Sequence, residues 1–107
     1  MESYFMRKYS ETETIKELEE YISGTYQGHY TAGNPNGEQK VQTLDLIESI
    51  GDAEGFCRSN AIKYLSRFGK KNGRNKRDLL KALHYVVLLY HFAGCHKNGN
   101  GLSEYKV

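Results

Sequence analysis

The fold is decided by a continuous stretch between Asn60 and Gly94, which reads NAIKYLSRFGKKNGRNKRDLLKALHYVVLLYHFAG. Apolar residues recur at helical spacing on both sides of the polar loop KKNGRN, which occupies residues 70–75. This pattern predicts two amphipathic helices joined by a turn. The first runs from about Glu54 to Phe68, and the second is capped by Asn75 and runs to about Ala93. A glycine follows each helix, as is common at helix ends.

Two further helices are predicted upstream. Ser10 and Glu13 match a capping box, so the first helix begins there and ends at Gly24, where glycine tolerates a left-handed backbone. A short helix covers residues 44–50 with Thr43 as its cap.

The length of 107 residues indicates a single domain with a thin core of its own. We therefore predict a mainly α fold, a small bundle of about four helices with a Gly/Asn-rich loop over residues 24–40, and oligomerisation. A short hairpin within that loop is the alternative. The predicted domain consists of an N-terminal helix at 10–23, a core at 28–93 and a polar tail at 94–107.

The sequence argues against several classes of protein. No apolar run reaches the roughly 20 residues that span a bilayer, and the N-terminus does not resemble a secretory signal. Two isolated cysteines, Cys57 and Cys95, do not form a disulfide framework. We interpret both as reduced thiols and predict a cytoplasmic protein without a membrane partner.

Charge is distributed unevenly along the chain. Residues 1–57 hold eleven acidic and four basic residues, whereas residues 58–81 hold nine basic residues and one acid. Such asymmetry favours an anionic partner for the basic segment. Mutual neutralisation of acidic and basic parts, within the fold or between subunits, is the alternative.

The third predicted helix separates its residues into two faces on a helical wheel. The apolar face is predicted to lie in the core and consists of Cys57, Ala61, Ile62, Leu65 and Phe68. The polar row on the opposite side consists of Asn60, Lys63, Arg67 and Lys71, with Tyr64 beside it. Arginine and lysine side chains in one row can grip a phosphate. A solvated helix face is the alternative interpretation.

The fourth predicted helix is apolar on nearly all sides, which predicts a subunit interface as well as a core. Its predicted core face consists of Leu79, Leu80, Leu83, Val86, Val87 and Tyr90. Asp78, Lys81 and Tyr85 lie together on another flank. Asp78 could cap its own helix, orient Lys81 or Arg67, or hold a ribose hydroxyl. The amides at the start of this helix offer a further anion site.

Several motifs recur in a fixed order along the chain. His29-Tyr30 precedes the short helix at 44–50, then N-x-I-K-Y-x-x-R-x-G-K-K at 60–71, then D-L-x-K-A-x-x-Y at 78–85. Over about residues 28–90 this order resembles a family of small bacteriophage proteins. Most of that family has no assigned function. One branch looks like a nucleotide kinase that acts on deoxynucleoside monophosphates without a P-loop.

The resemblance implies a phage protein that handles nucleotides in the cytoplasm of an infected bacterium. The ligand-binding residues carried over are His29, Tyr30, Asn60, Lys63, Arg67, Lys70, Lys71 and Asp78, to which the helical spacing adds Tyr64 and Lys81. Tyr30 or Tyr64 could stack on a base. The catalytic residues are unknown. A kinase would need ATP and Mg²⁺, whereas a non-catalytic sponge would sequester an immune signalling nucleotide.

Other functions are disfavoured by the sequence. There is no Walker phosphate loop, and the pair Asp45 and Glu48 is better explained as a solvated helix edge than as a magnesium site. Zinc is disfavoured because the spacing of the candidate ligands His84, His91, Cys95 and His96 matches no common zinc site. Nucleic-acid binding is disfavoured because the charge is confined to one helix-loop-helix. Inhibition of a host protein remains an alternative.

Overall fold

The computed structural model describes residues 7–27 and 39–97, with side chains in the second segment from residue 43 onward. It confirms the mainly α fold. The four helices of this part are α1 (Glu11–Thr25), α2 (Gln39–Ser49), α3 (Ala53–Arg67) and α4 (Lys76–Phe92). Contacts divide the chain into two compact units, Met1–Gln39 and Lys40–Val107. The single domain and the oligomer remain predictions, and the end of the polar tail lies outside the described residues.

The start of α1 does not form the predicted capping box. Ser10 precedes the helix with a left-handed φ of 62°, and its side chain accepts no capping hydrogen bond. A capping hydroxyl requires an extended backbone, which this conformation does not provide. The carboxylate of Glu11 instead accepts a hydrogen bond from the backbone amide of Tyr9 at 3.0 Å.

The end of α1 lies beyond the predicted stop. The helix passes through Gly24 and ends at Thr25, so the expected left-handed glycine is absent there. The Thr25 hydroxyl donates to the carbonyl of Ile22 at 2.7 Å and thereby satisfies one backbone acceptor in the last turn.

The second helix is longer than predicted at its N-terminal end. α2 begins at Gln39, so Thr43 lies inside the helix and does not cap it. The residues added at this end contain neither glycine nor proline, and nothing in them opposes helix formation. The predicted stop is confirmed, because Gly51 adopts a φ of 85° and its amide donates to the Glu48 carbonyl.

Helices α3 and α4 pack against each other as an antiparallel hairpin. Phe56 near the start of α3 contacts Tyr85 in the second half of α4, whereas Arg67 at the end of α3 meets Asp78 near the start of α4. This order of contacts is that of two helices running in opposite directions. The buried apolar residues of the hairpin are all small: Ala53, Cys57, Ala61 and Ala82.

These small residues explain why the predicted core faces are only partly correct: Cys57 and Ala61 are buried as predicted, but the larger apolar residues are not. Ile62 and Leu65 were expected in the core, yet they are 59% and 55% exposed. In α4 the exposed apolar residues also belong to the predicted core face: Leu83, Val86, Val87 and Tyr90. Small side chains let two helix backbones approach closely, so the seam follows the alanines and the cysteine rather than the largest apolar residues.

The connection between α3 and α4 is a tight turn. Gly69, Asn72 and Gly73 all adopt positive φ angles, which glycine and asparagine tolerate best. The Gly69 amide donates to the Gly73 carbonyl at 2.8 Å. At the end of the turn, the side chain of Asn75 accepts a hydrogen bond from the amide of Arg77 at 2.8 Å. This confirms the predicted cap of α4.

Two further predictions are confirmed in the hairpin, namely the glycine that follows α4 and the burial of Cys57. α4 stops at Phe92 and Gly94 follows with a φ of 81°. Cys57 is a buried free thiol, and burial raises its pKa above the ordinary 9.0. Among the described residues, no helix has the length and apolar character needed to cross a membrane.

Candidate anion-binding site

Three basic side chains gather around the ring of Tyr64. The Lys63 ammonium lies 4.7 Å from the ring centroid, the Lys81 ammonium 5.0 Å and the Arg67 guanidinium carbon 5.6 Å. Lys63 and Arg67 flank Tyr64 on α3, whereas Lys81 reaches the same ring from α4. Cations at such distances are attracted by the negative face of an aromatic ring. We refer to these four residues as the Tyr64 cluster.

The Tyr64 ring is itself held in place by other aromatic residues. It stacks on Tyr85 with centroids 6.1 Å apart and planes inclined by 7°. Tyr85 in turn meets the ring of Phe56 edge to face, with centroids 5.9 Å apart. Aromatic pairs of both kinds are stabilising beyond the area that they bury. The cluster is therefore built on a row of three rings along the α3–α4 seam.

The Arg67 guanidinium also faces a buried carboxylate. Its Nε lies 3.8 Å from Oδ1 of Asp78, whose side chain is 7% exposed, compared with 30% for Arg67. Arg67 Nε and Asp78 Oδ2 are both buried without a hydrogen-bond partner among the described residues. The two groups thus form an ion pair that lacks a short hydrogen bond.

This pair corrects the predicted position of Arg67. The polar row was expected opposite the core, but Arg67 contacts α4 through Asp78, and Tyr64 contacts α4 through Tyr85. Of the roles considered for Asp78, the structure shows contact with Arg67. Removing Arg67 would leave a buried carboxylate without its cation, so this residue is structural as well as available to a ligand.

The Tyr64 cluster has an excess of positive charge. Asp78 faces Arg67, but neither Lys63 nor Lys81 forms an ion pair within residues 7–27 and 39–97. Lys63 is exposed and Lys81 is half-buried. Because Lys81 is half-buried, its charge is less screened than that of an isolated surface lysine. The arrangement favours an incoming anion that neutralises the two lysines.

The sequence of residues 24–87 matches the family described as a protein of unknown function, DUF3310. The chain belongs to this family. No curated protein and no solved structure matches the chain. The match includes the whole Tyr64 cluster together with Asp78, and it leaves most of α1 and the end of α4 outside.

The remaining predicted ligand residues of this DUF3310 protein are not gathered at the Tyr64 ring. The Asn60 side-chain amide donates to the Phe56 carbonyl of its own helix at 2.9 Å. Lys70 and Lys71 are exposed on the turn after α3, where the Lys70–Gly73 bridge orders the backbone. His29 and Tyr30 lie outside the described residues.

Sequence reasoning missed Phe56 and gave Tyr85 no part in the site. The stripe of small residues Ala53, Cys57 and Ala61 could have revealed them. Small residues that repeat every four positions mark the side of α3 on which another helix sits closely. Phe56, Asn60, Tyr64 and Arg67 run parallel to that stripe and therefore flank the seam.

The histidines of α4 and the turn after it form no metal site in the described part of the chain. No group of three or more His, Cys, Asp or Glu side chains there could hold a metal ion. The rings of His91 and His96 stack with centroids 4.6 Å apart. His84 is buried, and desolvation lowers its pKa below the ordinary 6.5.

Proposed function

We propose that this DUF3310 protein binds a nucleotide through its phosphate groups at the Tyr64 cluster. The observation that carries the proposal is the convergence of Lys63, Arg67 and Lys81 on one ring, with both lysines free of a carboxylate among the described residues. Phosphate oxygens are strong acceptors that suit ammonium and guanidinium donors.

The geometry supports a division of roles within the cluster. Lys63 and Lys81 supply charge from two helices, and Asp78 holds the Arg67 guanidinium near the same ring. Tyr64 acts as the support for the cations, because its ring is already engaged by them and by Tyr85. Base stacking is then left to another residue, for which Tyr30 remains the prediction. Lys70 and Lys71 would extend the positive surface towards further phosphates.

Two activities are compatible with such a site. As an accessory kinase for deoxynucleoside monophosphates, the protein would use ATP and Mg²⁺. As a non-catalytic sponge, it would sequester a signalling nucleotide made by host immunity, which is a counter-defence role. Both activities place the protein in the cytoplasm of a phage-infected bacterium. The resemblance in its motifs supports the kinase, and the surplus charge of the cluster supports binding in either role.

The first experiment is calorimetric titration of the full chain with mononucleotides, cyclic dinucleotides and ADP-ribose-type molecules, followed by chromatography of the mixtures. ATP-dependent conversion of a monophosphate would establish the kinase, and tight binding with recovery of the intact ligand would establish the sponge. Binding by none of these compounds would refute the proposal. A macromolecular partner for the basic segment would then be the better explanation.

Variants of the two lysines locate the site without disturbing Asp78. We expect Lys63→Gln and Lys81→Gln each to weaken binding about tenfold or more, since a hydrogen bond to a charged group contributes roughly 1.5–3 kcal/mol. Arg58→Gln is the matched control, because Arg58 is exposed on the same helix and is not one of the three cations at the Tyr64 ring. Equal losses in all three variants would indicate a diffuse charge effect and exclude this site.

A further inference from the structure

The α3–α4 hairpin exposes a second surface that the candidate site does not use. It consists of six apolar residues, which we call the apolar patch: Ile62, Leu65, Leu83, Val86, Val87 and Tyr90. Their exposed fractions range from 38% for Leu83 to 59% for Ile62. In α4 the members follow one another at steps of three, one and three residues, which places them on one stripe of the helix.

Both helices present part of this patch on the same side of the hairpin, namely Leu65 on α3 and Leu83, Val86 and Tyr90 on α4. Ile62 and Val87 are rotated further from the seam and lie at the two outer edges of that side. At about 100° per residue, Leu65 on α3 and Val86 on α4 are each rotated by roughly a quarter turn away from the seam. Because the helices are antiparallel, equal rotations in the same sense bring the two side chains to the same side. Lys63 and the half-buried Leu88 are rotated in the opposite sense. The apolar patch therefore lies opposite the Tyr64 cluster.

The size of the apolar patch indicates an interface. With about half of each residue exposed, the six residues present roughly 500 Å², which is near the upper end of what monomeric proteins expose in one patch. Two copies placed face to face, with Ile62 and Val87 at the rim, would remove at most about 1,000 Å² from water, which is the lower limit for a biological interface and the size of a weak, transient one.

Charge at the ends of the hairpin favours a second copy in an antiparallel arrangement. The open end carries Asp52 and Glu54 together with the base Lys97, whereas the turn carries three bases, Lys70, Lys71 and Arg74. A two-fold axis across the hairpin brings the acidic end of each copy towards the basic end of the other. A parallel arrangement would instead bring the two basic turns together, which like-charge repulsion disfavours.

We infer that the apolar patch is the contact between two copies of this chain, which form an antiparallel, two-fold symmetric dimer. The α3–α4 seam stays intact in this dimer, and the Tyr64 cluster remains open on the outer side of each copy. Dimer formation and anion binding are thus independent properties. The inference does not rest on the proposed function, and either one can fail without the other.

The test is sedimentation velocity of the full chain between about 1 and 100 µM, a span that covers dissociation constants typical of transient dimers. We expect a concentration-dependent dimer for the unchanged chain and a shift to monomer for Val86→Glu. Leu65→Glu tests the same patch from α3. Leu46→Glu is the matched control, because Leu46 is at least as exposed as the two tested residues but lies on α2. Far-UV circular dichroism checks that each variant keeps its helix content.

Three results would overturn the inference. The first is a monomeric unchanged chain over the whole range. The second is a dimer that persists in both Val86→Glu and Leu65→Glu, which would place the contact elsewhere. The third is a monomer whose thermal stability is independent of concentration yet reduced by Val86→Glu, which would mean that another part of the same chain covers the patch.

Discussion

Replacing Arg67 with methionine tests the ion pair beneath the Tyr64 cluster. Methionine retains much of the aliphatic length of arginine and removes its charge. The carboxylate of Asp78, whose side chain is 7% exposed, then loses its cation. Breaking a fully buried ion pair from one side costs about 3–5 kcal/mol. Because Arg67 is 30% exposed and the pair has no short hydrogen bond, we expect about 2–3 kcal/mol here.

The companion variant Asp78→Asn neutralises the buried carboxylate, whereas Arg67→Met leaves it charged and unpaired. We expect it to cost only about 1 kcal/mol, because Arg67 is partly exposed and water can solvate it. The double variant Arg67→Met/Asp78→Asn should therefore be more stable than Arg67→Met alone. The coupling between the two sites would be about 1–2 kcal/mol.

Urea denaturation followed by far-UV circular dichroism measures all three variants. Arg58→Met is the control, since an exposed arginine on the same helix should change the free energy of unfolding by about 0.5 kcal/mol or less. A loss below that value for Arg67→Met, or additive losses in the double variant, would refute the reasoning. The pair would then be a surface contact that does not contribute to the free energy of unfolding.

Two further predictions concern buried groups. Burial lowers the pKa of His84 below 6.5, so the folded state binds fewer protons than the unfolded chain at mildly acidic pH. Stability should be constant above about pH 6.5 and fall as the pH drops below it; urea titrations at several pH values should show this slope flattened in His84→Gln, and an unchanged slope in that variant would contradict the assignment. Cys57 is buried with a raised pKa, whereas Cys95 is half-buried. A thiol-specific reagent near pH 8 should modify Cys95 first and Cys57 only after unfolding, as mass spectrometry of the digested protein would show, and rapid labelling of Cys57 would contradict its burial.

The helix ends that could be predicted are those decided by local chemistry. Asn75 caps α4 with its own side chain, and Gly51, Gly69 and Gly94 stop helices with positive φ angles. Ser10 failed as a cap because its backbone turned left-handed, a choice that its side chain does not dictate. Sequence signals of this kind are reliable where one residue type alone suits the backbone.

The packing of α3 against α4 could not be predicted from hydrophobicity alone. The wheel places Ile62 and Leu65 in the core together with Ala61, whereas the structure buries Ala61 and leaves the two larger residues exposed. The structure places Ala61 at the seam because a small side chain allows the close approach of α4. Which surface is buried depends on the partner helix, and the pattern of one helix contains no information about the shape of the other.

The gathering of basic residues follows from the sequence, whereas the contacts that position them do not. Lys63, Arg67 and Lys81 are all predicted ligand residues, and the structure brings them to one ring. Tyr64 was expected to be beside the row and available to a base. Its support of the cations depends on Tyr85, and the contact between two helices cannot be inferred from spacing within either one.

The tight turn between α3 and α4 has a consequence for how the protein folds. It closes a hairpin whose seam joins segments close together along the chain, and local contacts of this kind lose little chain entropy when they form. We expect the hairpin to form early in folding. The segment that assembles first would then already carry the gathered basic residues.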